Sequence, residues 1–227
     1  MSANNPSEPA AAKPESVINT LRPSLGYRLK SRLLTFLGHL RVYRYPFFVV
    51  FRVPGYKFRD LYTLLDHVEP GDILLRKYDS YLNTVFIPGF YTHSGVCVDH
   101  RTVVHAIAGG VEKIDIPYFC RCDHLILLRN KKLAALEGSA REEAIERLQQ
   151  RMHGAIGKEF DFDVASGDER FYCSELAAYA YRGMSEFMPS VHKLWGWFPT
   201  PEGIAPEDFI DHPDFDIVYR SVHEPSS

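Results

Sequence analysis

The chain has 227 residues, 45% of them hydrophobic and 13% aromatic, enough to build a core of one ordinary domain, so wholesale disorder is excluded. The longest unbroken apolar run, Pro46 to Phe51, is about six residues against the roughly 18 a membrane span needs, so no transmembrane helix is expected. Net charge is -3 but lopsided: residues 1–60 carry ten Lys/Arg and three Asp/Glu, a net +7, and the rest carries -10.

Residues 1–16 are rich in Pro, Ala, Ser and Asn and read as a disordered tail; they lack the apolar stretch of a secretory signal. With four cysteines and no export signal, the thiols are expected free and the chain cytoplasmic, or peripheral at a membrane. Residues 17–68 read as a basic amphipathic and aromatic extension. Leu25, Leu29, Leu33, Phe36, Leu37 and Leu40 recur at three- and four-residue steps and predict a helix from Val17 to about Leu40. Tyr43–Phe48 is an aromatic, basic stretch punctuated by Pro46, and a short helix is expected at Phe58–His67.

A second unit, residues 69–227, opens at the turn Glu69-Pro70-Gly71-Asp72. Strands are expected at Asp72–Arg76, Thr92–Val98, Thr102–Ile107, Val111–Ile116 and Leu125–Leu128. Four follow one another without helices, which favours an antiparallel sheet. A helix should start at a capping box of Ser139 and Glu142, bury Ile145, Leu148, Met152 and Ile156, and end at Gly157. Another should run from about Tyr172 to Arg182 and stop at Gly183. Trp195–Pro206 reads as a Pro-rich loop and Asp216–Arg220 as a last strand. The fold class is α+β.

The segment Phe171-Tyr172-Cys173-Ser174-Glu175-Leu176 carries the most chemistry. A cysteine in the first turn of a helix faces unpaired N–H groups and the positive end of the dipole, which favour thiolate over thiol. The bland alternative is a small buried residue at a helix start. A nucleophile needs a base, and His93 and His105 each interrupt an apolar strand. A lone strand histidine is commonly a hydrogen-bonded core residue, but two on neighbouring strands can act as base and orienter, as in a triad. Whether they share a face depends on the hairpin loop: two residues would separate them, three would align them. His39, His67, His100, His192, His212 and His223 read as surface residues. Cys120-Arg121-Cys122 with His124 is a weak metal signal, because structural zinc wants two separated ligand pairs, and a zinc site from His93, His105 and Cys173 is a similarly weak one. Glu175 reads as a charge at the helix start or a cap partner, Tyr172 as an aromatic anchor, and Asp161 and Asp163 as turn residues.

Gly71-Asp72-Ile73-Leu74, Thr92-His93-Ser94-Gly95, Val104-His105-Ala106 and Tyr172-Cys173-Ser174-Glu175-Leu176 together resemble the permuted papain-like amidases of the YaeF/YiiX type. These are a circularly permuted branch of the NlpC-type cysteine peptidases, in which histidine precedes cysteine. The resemblance spans about residues 68–220. It implies a papain-like, circularly permuted antiparallel sheet packed against helices. It also implies catalytic Cys173, His93 and His105; no cofactor and no metal are expected. That branch often has a glutamate where His105 stands; two histidines twelve apart before a cysteine are similar to the lecithin retinol acyltransferase relatives. The leading expectation is a cysteine hydrolase of a small amide, peptide or acyl-amide substrate. The alternatives are a lipid acyltransferase or phospholipid acyl hydrolase on the same triad, and an inactive membrane-surface module. Residues 17–59 hold nine Lys/Arg and no acidic residue, so an anionic membrane is a candidate partner. Nucleic acid is not expected, because the basic segment lacks a recognition motif.

Overall fold

The computed structural model describes residues 25–38, 40–44, 47–51, 58–79, 87–164, 167–194 and 198–221. The expected tail and the first part of the long N-terminal helix lie outside them. The N-terminal elements are helix α1 (Leu25–Gly38), strands β1 (Leu40–Arg44) and β2 (Phe47–Phe51), and helix α2 (Phe58–Leu65). Within the aromatic, basic stretch, Tyr43 and Arg44 end β1 and Phe47 and Phe48 begin β2, and the two strands pair antiparallel with Tyr43 opposite Phe48.

The body follows as β3 (Ile73–Lys77), β4 (His93–Cys97), β5 (Thr102–Ile107) and β6 (Gly110–Asp115). Then come α3 (Ile116–Phe119), β7 (His124–Asn130), α4 (Lys131–Ala134) and α5 (Gly138–Ala155). Next are β8 (Glu159–Phe160), β9 (Arg170–Phe171), α6 (Cys173–Ala180), β10 (Ser190–Leu194), β11 (Phe198–Gly203), α7 (Asp208–Asp211) and β12 (Phe215–Arg220). One six-stranded sheet, ordered β12-β7-β3-β4-β5-β6, is antiparallel throughout.

Both faces of this sheet are covered, which is why its central strands are continuous apolar runs. Ile73, Leu75, Val96, Val104, Ala106, Ile126 and Leu128 point to one side, into a core shared with Leu148 and Met152 of α5 and Leu176, Ala177 and Ala180 of α6. Leu74, Cys97, Val103, Leu125 and Leu127 point to the other, against Leu64 of α2, Val68 just after it, and Ile116 and Phe119 of α3. Burying each such aliphatic side chain contributes roughly 1.5–3 kcal/mol.

Two local expectations change. Helix α5 starts at Gly138 behind Glu137, whose side chain makes no cap bond, so the Ser139 box does not form. Its buried stripe is Ala144, Leu148, Met152 and Ala155, with Ile145 half-buried beside it, and Ile156 is 40% exposed because the helix ends at Ala155 and Ile156 is its extended C-cap. Half of the Pro-rich loop is strand: β10 and β11 form a bulged two-stranded hairpin carrying Pro199 and Pro201.

The Gly71-Asp72 turn locks the sheet's lower end. Gly71 has φ +94° and donates its N–H to Cys97 O at 2.7 Å. Asp72 is buried, takes Arg129 Nε and Nη2 at 2.8 Å each, and accepts the Glu69 N–H at 2.8 Å. Glu69 takes Arg129 Nη1 at 2.7 Å, so the motif is a structural clamp.

Candidate active site

His93 begins β4 and His105 is the fourth residue of β5. Val96 pairs with Val104 and Cys97 with Val103, and Val98 N–H reaches Thr102 O at 3.0 Å, leaving Asp99, His100 and Arg101 as a three-residue loop. That parity puts both histidines on one face. His93 Nε2 lies 2.8 Å from His105 Nδ1, with the rings nearly perpendicular. Phe119 packs against both, stacked on His93 at 5.7 Å between centroids and edge-on to His105 at 5.5 Å. Gly95 makes room for that ring: a Cβ there would lie 2.8 Å from Phe119 Cε2.

Two further residues complete the cluster, neither of which stood out in the sequence. Glu112 of β6 lies opposite His105 in the ladder, and its Oε1 is 3.2 Å from His105 Nε2, an ion-pair distance without a well-directed hydrogen bond. Arg76 of β3 is paired with His93, donates Nη1–H to Phe119 O at 2.9 Å and places its guanidinium 4.2 Å over the Phe119 ring. Burial, then the Arg76 charge and His105, hold the His93 imidazole well below the usual range. His105 is also lowered, chiefly by burial, with Glu112 opposing the shift, and contact with His105 lowers Glu112 in turn. At neutral pH the pair is therefore uncharged, the form that can accept a proton.

Cys173 is the first residue of α6, behind Tyr172 in an extended N-cap conformation, and is 8% exposed. Its Sγ lies 3.9 Å from Ser174 Oγ. Among the described residues it makes no hydrogen bond to either imidazole. The position of its helix is nonetheless informative. Just past the helix, Tyr181 donates its hydroxyl to Gly71 O, and Gly71 is bonded to Cys97, so the C-terminal end of α6 lies at the C-terminal end of β4. The helix packs along β4 and β5. Its eight residues rise about 12 Å and the five of β4 span about 13 Å, so Cys173 lies toward the end where β4 begins with His93. A second anchor agrees: Val111 N–H bonds to Lys158 O at 2.8 Å beside the last residues of β5, and β8 pairs with β9, which leads into Cys173.

The same end carries a cleft of about 400 Å³ lined by Tyr172, Glu175, Val164, Pro201, Glu202 and Gly203, among others. The Tyr172 hydroxyl accepts the Ile204 N–H at 2.8 Å, in keeping with an anchoring role. Glu175 accepts the Tyr172 N–H, the cap contact, and its carboxyl is pushed up to about 7 by burial and by nearby Asp161. Val164 sits at φ +52°, a strained conformation for a β-branched residue. Asp161 accepts the Asp163 N–H at 2.9 Å, a turn contact.

Cys97, Cys120 and Cys122 are free, and burial raises all three, Cys122 to about 12. Among the described residues no three His, Cys, Asp or Glu side chains converge to hold a metal, and no helix is long and apolar enough to cross a membrane.

The family model of permuted papain-like amidase enzymes (YaeF/YiiX, C92 family) matches residues 67–219. The crystal structure of metalloprotein yiiX from Escherichia coli O157:H7 superposes with a TM-score of 0.54 at 20% identity, covering 68% of this chain and 98% of that one. No curated protein matches. The fold agrees with that structure, a large antiparallel sheet packed with helices, and the family match covers that sheet from its first strand nearly to its last. The chain belongs to the permuted papain-like amidase family and is a thiol-dependent hydrolase of the amidase and peptidase kind.

Proposed function

We propose that the protein hydrolyses an amide bond of a peptide or acyl amide with Cys173 as nucleophile, His93 as general base and His105 as its orienter. The observation that supports this best is the imidazole pair at 2.8 Å, at the end of the sheet toward which the Cys173 helix starts. Glu112 beside His105 Nε2 gives the pair a direction. A carboxylate favours a proton on His105 Nε2, which leaves Nδ1 to accept from His93 Nε2–H and leaves His93 Nδ1 bare. The pair lies on the Phe119 side of the sheet and α6 packs on the other, so this reading requires the thiol to meet His93 Nδ1 around the end of β4.

In the first step Sγ attacks the carbonyl carbon and the thiol proton passes to His93 Nδ1. The negative oxygen takes the N–H at the start of α6. Collapse breaks the C–N bond, His93 returns the proton to the leaving amine, and a thioester remains. Water, deprotonated by His93, then attacks the thioester, releasing the acid and restoring the thiol. The same thioester could be passed to an alcohol or amine acceptor. The second imidazole, where relatives often carry glutamate, keeps acyl transfer as the other reading.

The test is labelling of the pure protein with an amide-bond or acyl activity probe, followed by mass spectrometry of the adduct. Adduct on Cys173 that disappears in His93→Ala supports the reading. Adduct on another cysteine, or labelling indifferent to His93, refutes it. Product analysis with and without hydroxylamine as acceptor then separates hydrolysis from transfer.

A further inference from the structure

Helix α1 presents an apolar stripe to solvent beside the active-site end of the molecule. Leu25, Leu29 and Leu33 are 84%, 70% and 56% exposed. Four-residue spacing keeps all three on one face, within an arc of about 80°. Isolated exposed leucines call for no explanation, but three consecutive turns of one face do. The helix is placed by Lys30, whose Nζ meets Asp163 Oδ1 at 2.8 Å and sits 5.5 Å over the Phe162 ring. Asp163 and Phe162 directly precede Val164, which lines the cleft next to Cys173. Stripe and cleft are therefore neighbours.

Charge selects what covers the stripe. Arg32 is exposed and falls at the edge of the leucine arc, about 20° from Leu25, where a long basic side chain can run along apolar surface and keep its head among polar groups. Between Glu15 and Asp60 the sequence has no acidic residue and nine basic ones. A protein partner with an apolar groove would need no such one-sided excess. An anionic lipid surface takes both features at once, apolar side chains below the headgroups and cations among them.

We infer that α1 is an interfacial helix that seats the active-site end of the molecule on an anionic bilayer, so that the amide cleaved is one presented from a lipid surface. The substrate half of this inference rests on the amidase reading; the binding half does not. The test is co-sedimentation of the full chain with vesicles of phosphatidylcholine alone, or of phosphatidylcholine with about a third phosphatidylserine, with thiol-probe labelling of Cys173 on the same samples. The expected result is binding to the anionic vesicles only, weakening as salt is raised. Leu29→Glu with Leu33→Glu should lower the partition at least about tenfold, and Arg32→Glu about fivefold, with labelling in the absence of vesicles unchanged. Binding that is equal on neutral vesicles, that is unmoved by the substitutions, or that is absent overturns the inference. So does a dimer in sedimentation velocity that the double variant splits without any vesicle binding, since a second copy would then be what covers the stripe. Labelled protein that ignores vesicles sinks this inference and leaves the amidase intact. Vesicle binding without labelling does the reverse.

Discussion

Gly95→Ala tests whether the packing under the imidazole pair matters to its chemistry. The added methyl would lie 2.5 Å from Val103 Cγ1 and 2.8 Å from Phe119 Cε2, the first about an ångström inside ordinary contact. Val103 and Phe119 are both fully buried, so neither can swing into solvent. Overpacking of this kind costs about 1–3 kcal/mol, or some 2–4 °C in melting temperature per kcal/mol for a chain of this size. The strain is relieved most easily by moving the Phe119 ring, and that ring touches His93, His105 and the Arg76 guanidinium. A base displaced by about an ångström can lose up to about 100-fold in rate, so Cys173 alkylation by iodoacetamide should slow by far more than the loss of stability explains. Gly109→Ala is the control, because its methyl would meet only Ile107 Cδ1 at 3.9 Å. Urea unfolding and alkylation rates of the two variants side by side decide the matter. A Gly95→Ala protein as stable as Gly109→Ala, or one destabilised with an unchanged alkylation rate, would show that Phe119 does not position the pair.

The remaining expectations concern the thiols, the relay, the clamp and pH. Cys173→Ala should abolish turnover and probe labelling with the fold intact, while Cys97, Cys120 and Cys122, whose thiols burial pushes up, stay unlabelled at neutral pH; intact-mass measurement after labelling reads this directly. In single-turnover acylation His93→Ala should cost most, of the order of 100-fold or more, His105→Ala less, and Glu112→Ala least, about tenfold, because Glu112 is half exposed; a Glu112→Ala loss equal to that of His93→Ala would break the proposed order. Arg129→Leu leaves the buried Asp72 carboxylate without its main partner and should destabilise by about 3 kcal/mol in urea unfolding, with an unchanged midpoint counting against the clamp. Both imidazoles are held below the free value of 6.5, so below that pH the unfolded chain binds protons that the folded one does not. Stability should therefore decline as pH falls from 6.5 toward the depressed values, and His93→Phe should flatten the decline in a series of melting temperatures.

The sheet was legible because its strands are apolar on both faces, and runs such as Ile73-Leu74-Leu75 or Leu125–Leu128 have no other economical use in a chain of this size. The pairs β1–β2 and β10–β11 were not, because Pro46 in the first segment of sequence and Pro199 and Pro201 in the second argue for loops, and the last two are tolerated in β11 only because it belongs to an isolated two-stranded pair. Cys173, His93 and His105 stood out as reactive side chains in apolar or helix-start contexts. Glu112 did not, because an acidic residue on the alternating strand Val111-Glu112-Lys113-Ile114 looks like plain solvent-facing decoration. Its place opposite His105 follows from a two-residue turn at Ala108-Gly109, and pairing outward from that turn would have found it. The face shared by the two histidines rested on the length of one loop, which residue types around Asp99 leave open between two and three.

That three-residue loop also makes the assembly of the pair self-policing. If β5 slipped by one residue against β4, His105 would turn into the layer occupied by Leu148, Met152 and Leu176, and Val104 and Ala106 would turn toward Phe119. An imidazole stranded among aliphatic side chains, with its hydrogen-bonding needs unmet, costs enough that the slipped sheet does not persist. The residues that fill the core thus act as an inspector for the residues that face Phe119: a molecule cannot pass as folded while its two histidines are apart. Protein refolded from urea should accordingly regain its Cys173 reactivity in step with its native signal, with no long-lived population that is compact and inert.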